Sequence, residues 1–218
     1  MPQPPQHPGG AWGTIAVVLL IGVFLVQYGT ETSAGPPQPT SATIVRTSQG
    51  RTAPAEPGPA GPAPHPLPYS TPVRVAIPSI GVDAPLTGVG VTPDGWIDTP
   101  PAAHKNAAGW FTGAASPGEQ GTSVVVGHVD NAEGPAVFYS LGSLSKGERI
   151  EVVRQDGRTA VFSVYALEVV SKKDFPADRV YRTRGRPELR VITCGGSFSP
   201  KTGYDANVVA FAGLTTVR

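Results

Sequence analysis

The sequence predicts a mostly-β domain, closed as a barrel or stacked as a sandwich, carried behind an apolar N-terminal helix and a proline-rich linker. Three observations predict it. Charge is confined to one part of the chain: residues 1–30 hold no Asp, Glu, Lys or Arg, while residues 71–218 hold 15 of the 17 basic and 14 of the 16 acidic residues. Ten of the 25 prolines fall in residues 31–70. From residue 73 onward, short β-branched runs alternate with Gly, Pro and Asp, and no long amphipathic helix interrupts them. The stretch 71–218 is long enough to enclose one sizeable core.

After a short uncharged tail, residues 1–10, Ala11–Thr30 forms an apolar run of 20 uncharged residues. As a helix it rises about 30 Å, the thickness of a bilayer core. Trp12 and Tyr28 stand near its ends, where amphipathic rings favour the interface. A transmembrane signal-anchor is therefore expected, with a cleaved signal peptide ending near Thr32-Ser33-Ala34 as the alternative. Charge near the helix is too sparse to orient it. The short N-terminus and long C-terminal part favour a single-pass cell-membrane protein with the domain outside. Residues 31–70, rich in Pro, Ala, Gly, Ser and Thr, lack apolar periodicity and are expected to be a disordered linker. In polyproline geometry they span up to roughly 100 Å.

Within the domain, Val73–Ile77 alternates and stops at Pro78, and Ser123–Val126 is a short β-branched run. Arg149–Arg154 leads into Asp156-Gly157, a hairpin signal, and Thr159–Val170 follows as a long strand. Glu188–Thr193 and Asn207–Ala212 complete six predicted strands. Segments 99–110, 134–142 and 174–183 have room for short helices.

A net charge of +1, with basic and acidic residues interspersed, excludes a general nucleic-acid binder. A single cysteine excludes an intramolecular disulfide framework and a multi-cysteine zinc site. No phosphate loop, ligand cluster or EF-hand-like loop is present, so no metal and no cofactor is expected. Chemistry concentrates in two places. Cys194 ends a strand and is followed by Gly195-Gly196, which presents a thiol at a rim beside permissive backbone. His128 follows the Ser123–Val126 strand, with Asp130 two residues on as a candidate to orient the ring. A thiol and an imidazole from two strand ends can form a nucleophile and base. Asn207, the Gly195 and Gly196 amides, and the arginines between Arg179 and Arg186 are candidates to stabilise an oxyanion.

These residues resemble a known family. Val124–Asp130 looks like the histidine motif of the sortases, and Leu189–Cys194 like their L-x-x-x-T-C motif. Ile77–Leu86, Gly134–Phe138 and Lys173–Pro176 resemble the class F group of actinobacteria, as does Gly195-Gly196 where class E carries His-Pro. The resemblance covers residues 72–213. It implies an eight-stranded sortase-type β-barrel with short helices, housing a membrane-anchored cysteine transpeptidase. It implies that Cys194 cleaves the Thr–Gly bond of an LPXTG-like sorting signal on surface proteins through a thioacyl intermediate. An amine, usually a cell-wall precursor, then resolves the intermediate, and His128 moves the protons. The family carries an essential arginine on the strand after the cysteine loop. Here Asn207 stands at that place, and Asp205 where some class F relatives carry arginine. Asn207 becomes the oxyanion candidate, and Arg182, Arg184 and Arg186 the candidates to supply charge or bind substrate. The departure keeps two alternatives open: a non-catalytic peptide-binding module, and a thiol peptidase using water as acceptor.

Overall fold

A computed structural model describes residues 35–39, 64–183 and 185–218. The expected membrane helix, residues 11–30, lies outside the described residues. Among the described residues no helix is long and apolar enough to cross a membrane. Eight strands close into a barrel in the order β1-β2-β3-β4-β9-β10-β8-β7, and a small hairpin, β5–β6, stands apart. The strands are β1 (Pro72–Ile77), β2 (Val82–Val89), β3 (Ala108–Phe111), β4 (Gly121–Val126), β5 (Asp130–Asn131), β6 (Gly134–Pro135), β7 (Arg149–Arg154), β8 (Thr159–Ser171), β9 (Pro187–Ser199) and β10 (Gly203–Val217). The one described α-helix, α1 (Ala177–Tyr181), falls in the predicted segment 174–183.

All six predicted strands form, at or beyond the expected bounds. The Asp156-Gly157 hairpin also forms, with Gly157 at φ 82°, a left-handed conformation that favours glycine. Two strands of the barrel escaped the sequence reading, as did the small β5–β6 hairpin. In β2, Val82, Ala84 and Leu86 point inward in strict alternation, but Pro85 and Gly88 break the run to the eye. The segment 99–110, expected to hold a helix, instead turns and ends in β3. Barrel closure decides this, since β3 pairs parallel with β2 from Leu86↔Ala108 to Val89↔Phe111. In segment 134–142, a two-residue strand and the 3-10 helix Tyr139–Ser143 stand where one short helix was expected.

The alternation of side chains sorts the apolar residues into two layers. Val75, Ile77, Leu86, Trp110, Val125, Ile150, Phe162, Leu189, Val191 and Val208 fill the barrel. A second cluster, Val124, Val126, Tyr165, Val170, Val180, Ile192, Val209 and Phe211, lies on the outer face of β4, β8, β9 and β10, with Val180 of α1 packed into it. Covered on both faces, β4 is buried at all six of its residues. This outer cluster is the bed on which the site rests.

Contacts with the barrel extend back into the proline-rich stretch. Leu67 N–H donates to the Gly118 carbonyl (2.8 Å). The buried Arg154 guanidinium donates to the carbonyls of Pro68 and Pro117 (2.5 Å each) and pairs with Asp156 (3.0 Å). That pairing holds the Asp156 carboxyl below its ordinary range. Pro36 is buried, and the Pro37 carbonyl packs so close to Gly142 that a Cβ there would lie 1.8 Å from its oxygen. The Gly196 N–H donates to Gln38 Oε1 (3.2 Å).

Candidate active site

Two parallel strands carry the candidate thiol and imidazole to one place. β4 and β9 run side by side with Val126 opposite Ile192. Two residues further along each chain stand His128 and Cys194, at the same end of the ladder. Ile192 and Val126 both belong to the outer cluster, so Cys194, two residues on, faces outward as well. Across the next pair, Asn207 of β10 lies directly opposite Cys194. The strand ends are tied: Thr193 Oγ1 donates to the Gly127 carbonyl (2.8 Å), and Gly127 N–H to the Ile192 carbonyl (3.2 Å).

Cys194, His128 and Asn207 line one groove of about 420 Å³. Val126, Ile192 and Thr193 contribute to its floor, Trp96, Ile97 and Thr99 of the β2–β3 loop to one wall, and Lys172, Phe175 and Tyr181 of the β8–β9 connection to the other. The second wall is firmly held. Arg190 Nε donates to the Val180 carbonyl (2.9 Å), Arg179 pairs with Glu168 (2.5 Å), and Thr122 Oγ1 donates to the Arg182 carbonyl (2.9 Å). Phe175 stacks between Trp96 (6.2 Å, edge-on) and Tyr181 (5.7 Å). Burial raises the Tyr181 hydroxyl above its ordinary range, so the part of this wall made by Phe175 and Tyr181 stays uncharged and largely apolar.

His128 Nε2 lies 2.8 Å from the Pro100 carbonyl oxygen. A carbonyl only accepts, so Nε2 bears the proton and Nδ1 of the neutral ring is left as the acceptor. The sequence offered Asp130 to orient the ring; the structure gives that part to Pro100. Asp130 Oδ2 instead accepts from Tyr204 OH (2.5 Å), joining the β9–β10 hairpin to the histidine loop. Burial and, after it, this carboxylate push the Tyr204 hydroxyl well above its ordinary range.

Of the arginines singled out from sequence, the described ones, Arg179, Arg182 and Arg186, do not line the groove. Arg182 lines a separate depression with Ala177, Asp178 and Tyr181, and Arg184 lies outside the described residues. Arg190 is buried against Glu188 (2.6 Å). The groove residue in contact with the thiol was not marked in the sequence: Lys172, whose Nζ lies 3.5 Å from Cys194 Sγ. Only the lateral pairing of β8, β10 and β9 brings it there, so no local motif marks it. Among the described residues no cluster of His, Cys, Asp and Glu could hold a metal ion. A thiol, an imidazole, an amide and an ammonium around an apolar groove are the parts of an acyl-transfer site.

Residues 75–215 match the family model described as the sortase domain. No curated protein matches the chain in sequence. Among solved structures, it is similar to sortase A from Corynebacterium diphtheriae at 20% identity and TM-score 0.52, over 68% of this chain and 62% of that one. Sortase C-1 from Actinomyces oris is 22% identical at TM-score 0.52, over 66% of this chain and 73% of its own. Sortase A of Listeria monocytogenes is 17% identical at TM-score 0.52, over 69% and 90%. At these identities the likeness is one of fold, and the chain spans less than two thirds of the first of these structures.

Proposed function

The chain belongs to the sortase family, whose members are cysteine transpeptidases acting on surface proteins that bear a sorting signal, and we propose that it is itself such an enzyme, of the class F type. The observation that carries this reading is the β4–β9 register, which ends His128 and Cys194 together in one groove. The class F assignment rests on Gly134–Phe138, Lys173–Pro176 and Gly195-Gly196. On this reading the apolar run 11–30 anchors the chain in the cell membrane and the barrel works outside it.

The chemistry follows from the residues. Cys194 gives its proton to His128 Nδ1, while the Pro100 carbonyl, accepting from Nε2–H, steadies the resulting imidazolium. The thiolate attacks the Thr carbonyl of an LPXTG-like signal; the C–S bond forms and the carbonyl π pair moves to oxygen. The Asn207 amide, opposite Cys194, donates to that oxyanion. As the C–N bond breaks, the imidazolium protonates the departing amine, leaving a thioacyl enzyme. An amine from a cell-wall precursor then gives its proton to His128 and attacks the thioester; the N–C bond forms, the C–S bond breaks, and the Cys194 thiolate leaves and recovers the proton from the imidazolium.

The test is direct. The full chain, incubated with a Leu-Pro-Glu-Thr-Gly peptide and close variants, gains the mass of the acyl fragment on Cys194, and added triglycine releases it as a ligated product. A folded sample that forms no adduct with any of these peptides refutes the reading. Product formed equally with and without triglycine, as free acid, identifies a thiol peptidase instead. The absence of an arginine among the described residues lining the groove favours one second reading, a peptide-binding module without turnover, marked by peptide affinity with no adduct. Asn207→Ala is expected to lower kcat by more than about tenfold at nearly constant KM, as for loss of a single oxyanion donor. Steady-state ligation kinetics check it; an unchanged kcat removes Asn207 from the mechanism.

A further inference from the structure

Lys172 stands at the point where β8 leaves the barrel. Its N–H donates to the Asp205 carbonyl (3.0 Å), which continues the β8–β10 ladder one step past the Ser171↔Ala206 pair. In that ladder Val170 lies opposite Asn207, and Asn207 in turn lies opposite Cys194. Val170 belongs to the outer cluster, so Lys172, two residues on, turns to the same face as Asn207 and Cys194. Three neighbouring strands thus point an ammonium, an amide and a thiol into one groove.

The ammonium is set there rather than left in solvent. Lys172 is half-buried while its neighbour Lys173 is exposed. Among the described residues no carboxylate lies within ion-pair distance of its Nζ, whose hydrogen bond goes to Cys194 Sγ at 3.5 Å. The Asp205 carboxylate, the nearest along the ladder, accepts instead from Ser197 N–H (2.8 Å). Of the side chains lining the groove, Lys172 is the one permanent cation among the described residues.

We propose that Lys172 is a catalytic residue: it supplies the positive charge that holds Cys194 as a thiolate and then donates to the oxyanion formed beside that sulfur. The proposal rests on the transpeptidase reading for its second half only. A cation in contact with a thiol favours the ionised nucleophile. When the thiolate adds to the carbonyl, the new oxyanion forms on the carbon bonded to Sγ, within reach of the same Nζ. Lys172 keeps its proton throughout; the mobile proton passes between Cys194, His128 and the amines. Compact and rotatable, an ammonium can follow the charge from sulfur to oxygen as the bond forms.

The experiment exploits the fact that the full chain has one cysteine, so alkylation by iodoacetamide reports Cys194 alone. At pH 7, Lys172→Met is expected to alkylate at least tenfold more slowly than wild type. At pH 10, where thiols in general no longer need a cation's help to ionise, the gap closes to within about twofold. Lys172→Arg and the neighbouring Lys173→Met stay within threefold of wild type at both pH values. With the Leu-Pro-Glu-Thr-Gly peptide and triglycine, Lys172→Met lowers kcat by roughly 10²-fold while KM moves less than threefold. A folded Lys172→Met that alkylates like wild type at pH 7, or is slowed equally at both pH values, overturns the proposal. Wild-type protein inert toward the peptide, with the alkylation contrast intact, refutes the transpeptidase reading and supports the thiolate assignment.

Discussion

Cys194→Ala yields no thioacyl adduct and loses turnover by on the order of 10⁴-fold or more, with the fold intact. The sulfur is the one thiol among the described residues lining the groove, and a thiolate is the most nucleophilic group there at neutral pH. Cys194 is only half-buried and belongs to neither apolar cluster, so losing the sulfur costs little packing. The circular dichroism spectrum should match wild type and the thermal midpoint should shift by no more than a few degrees. His128→Ala follows the same pattern at smaller magnitude, about 10²–10⁴-fold, because it removes proton transfer and leaves the nucleophile. Mass spectrometry of the peptide-treated variants checks both. An adduct on Cys194→Ala would place the chemistry elsewhere.

Arg190→Met has the largest expected effect on stability. Arg190 and Glu188 are both fully buried, 2.6 Å apart, on the strand that carries Cys194. The guanidinium also lies 4.6 Å from the centre of the Phe211 ring and donates to the Leu189 carbonyl as well as to that of Val180. Removing it leaves a carboxylate in the outer cluster without its cation, which costs about 3–5 kcal/mol. For a domain of this size each kcal/mol is worth about 2–4 °C. Urea unfolding of Arg190→Met should show that loss, and the double variant Glu188→Leu/Arg190→Met should recover most of it. A loss below about 1 kcal/mol, or no recovery in the double variant, would show that the pair does not restrain the fold. The groove should feel the same change, since Val180 in α1 loses its anchor and the wall of Phe175 and Tyr181 loosens with it.

Local patterns made most of the barrel readable. β7 and β8 announce themselves by alternation and a turn dipeptide, and both form where expected. β2 and β3 were opaque for a different reason. Their residues are weak strand formers, and it is pairing with each other and with β1 and β4 that makes them strands. The site divides along the same line. Cys194 and His128 sit in motifs that can be read in one dimension. The partners that tune them, the Pro100 carbonyl and the Lys172 ammonium, come from separate loops and connections and are visible only once lateral register is known. Asp130 misled because nearness along the chain is a poor guide at a strand end: its carboxylate turns to Tyr204. Pro36–Gln38, within the proline-rich stretch, lies against Gly142 and Gly196, contacts that composition does not mark.

The parallel β4–β9 ladder has a further consequence for how this chain can vary. Because His128 and Cys194 are aligned by strand pairing, loops within residues 129–186 can gain or lose residues while the two side chains keep their relation. A single residue inserted inside 187–193 is another matter. It would shift the ladder by one step and turn either the sulfur or its neighbours to the barrel interior. Insertions that spare the enzyme should therefore cluster in the connections, since β9 is also held in register with β10, where Asn207 faces Cys194.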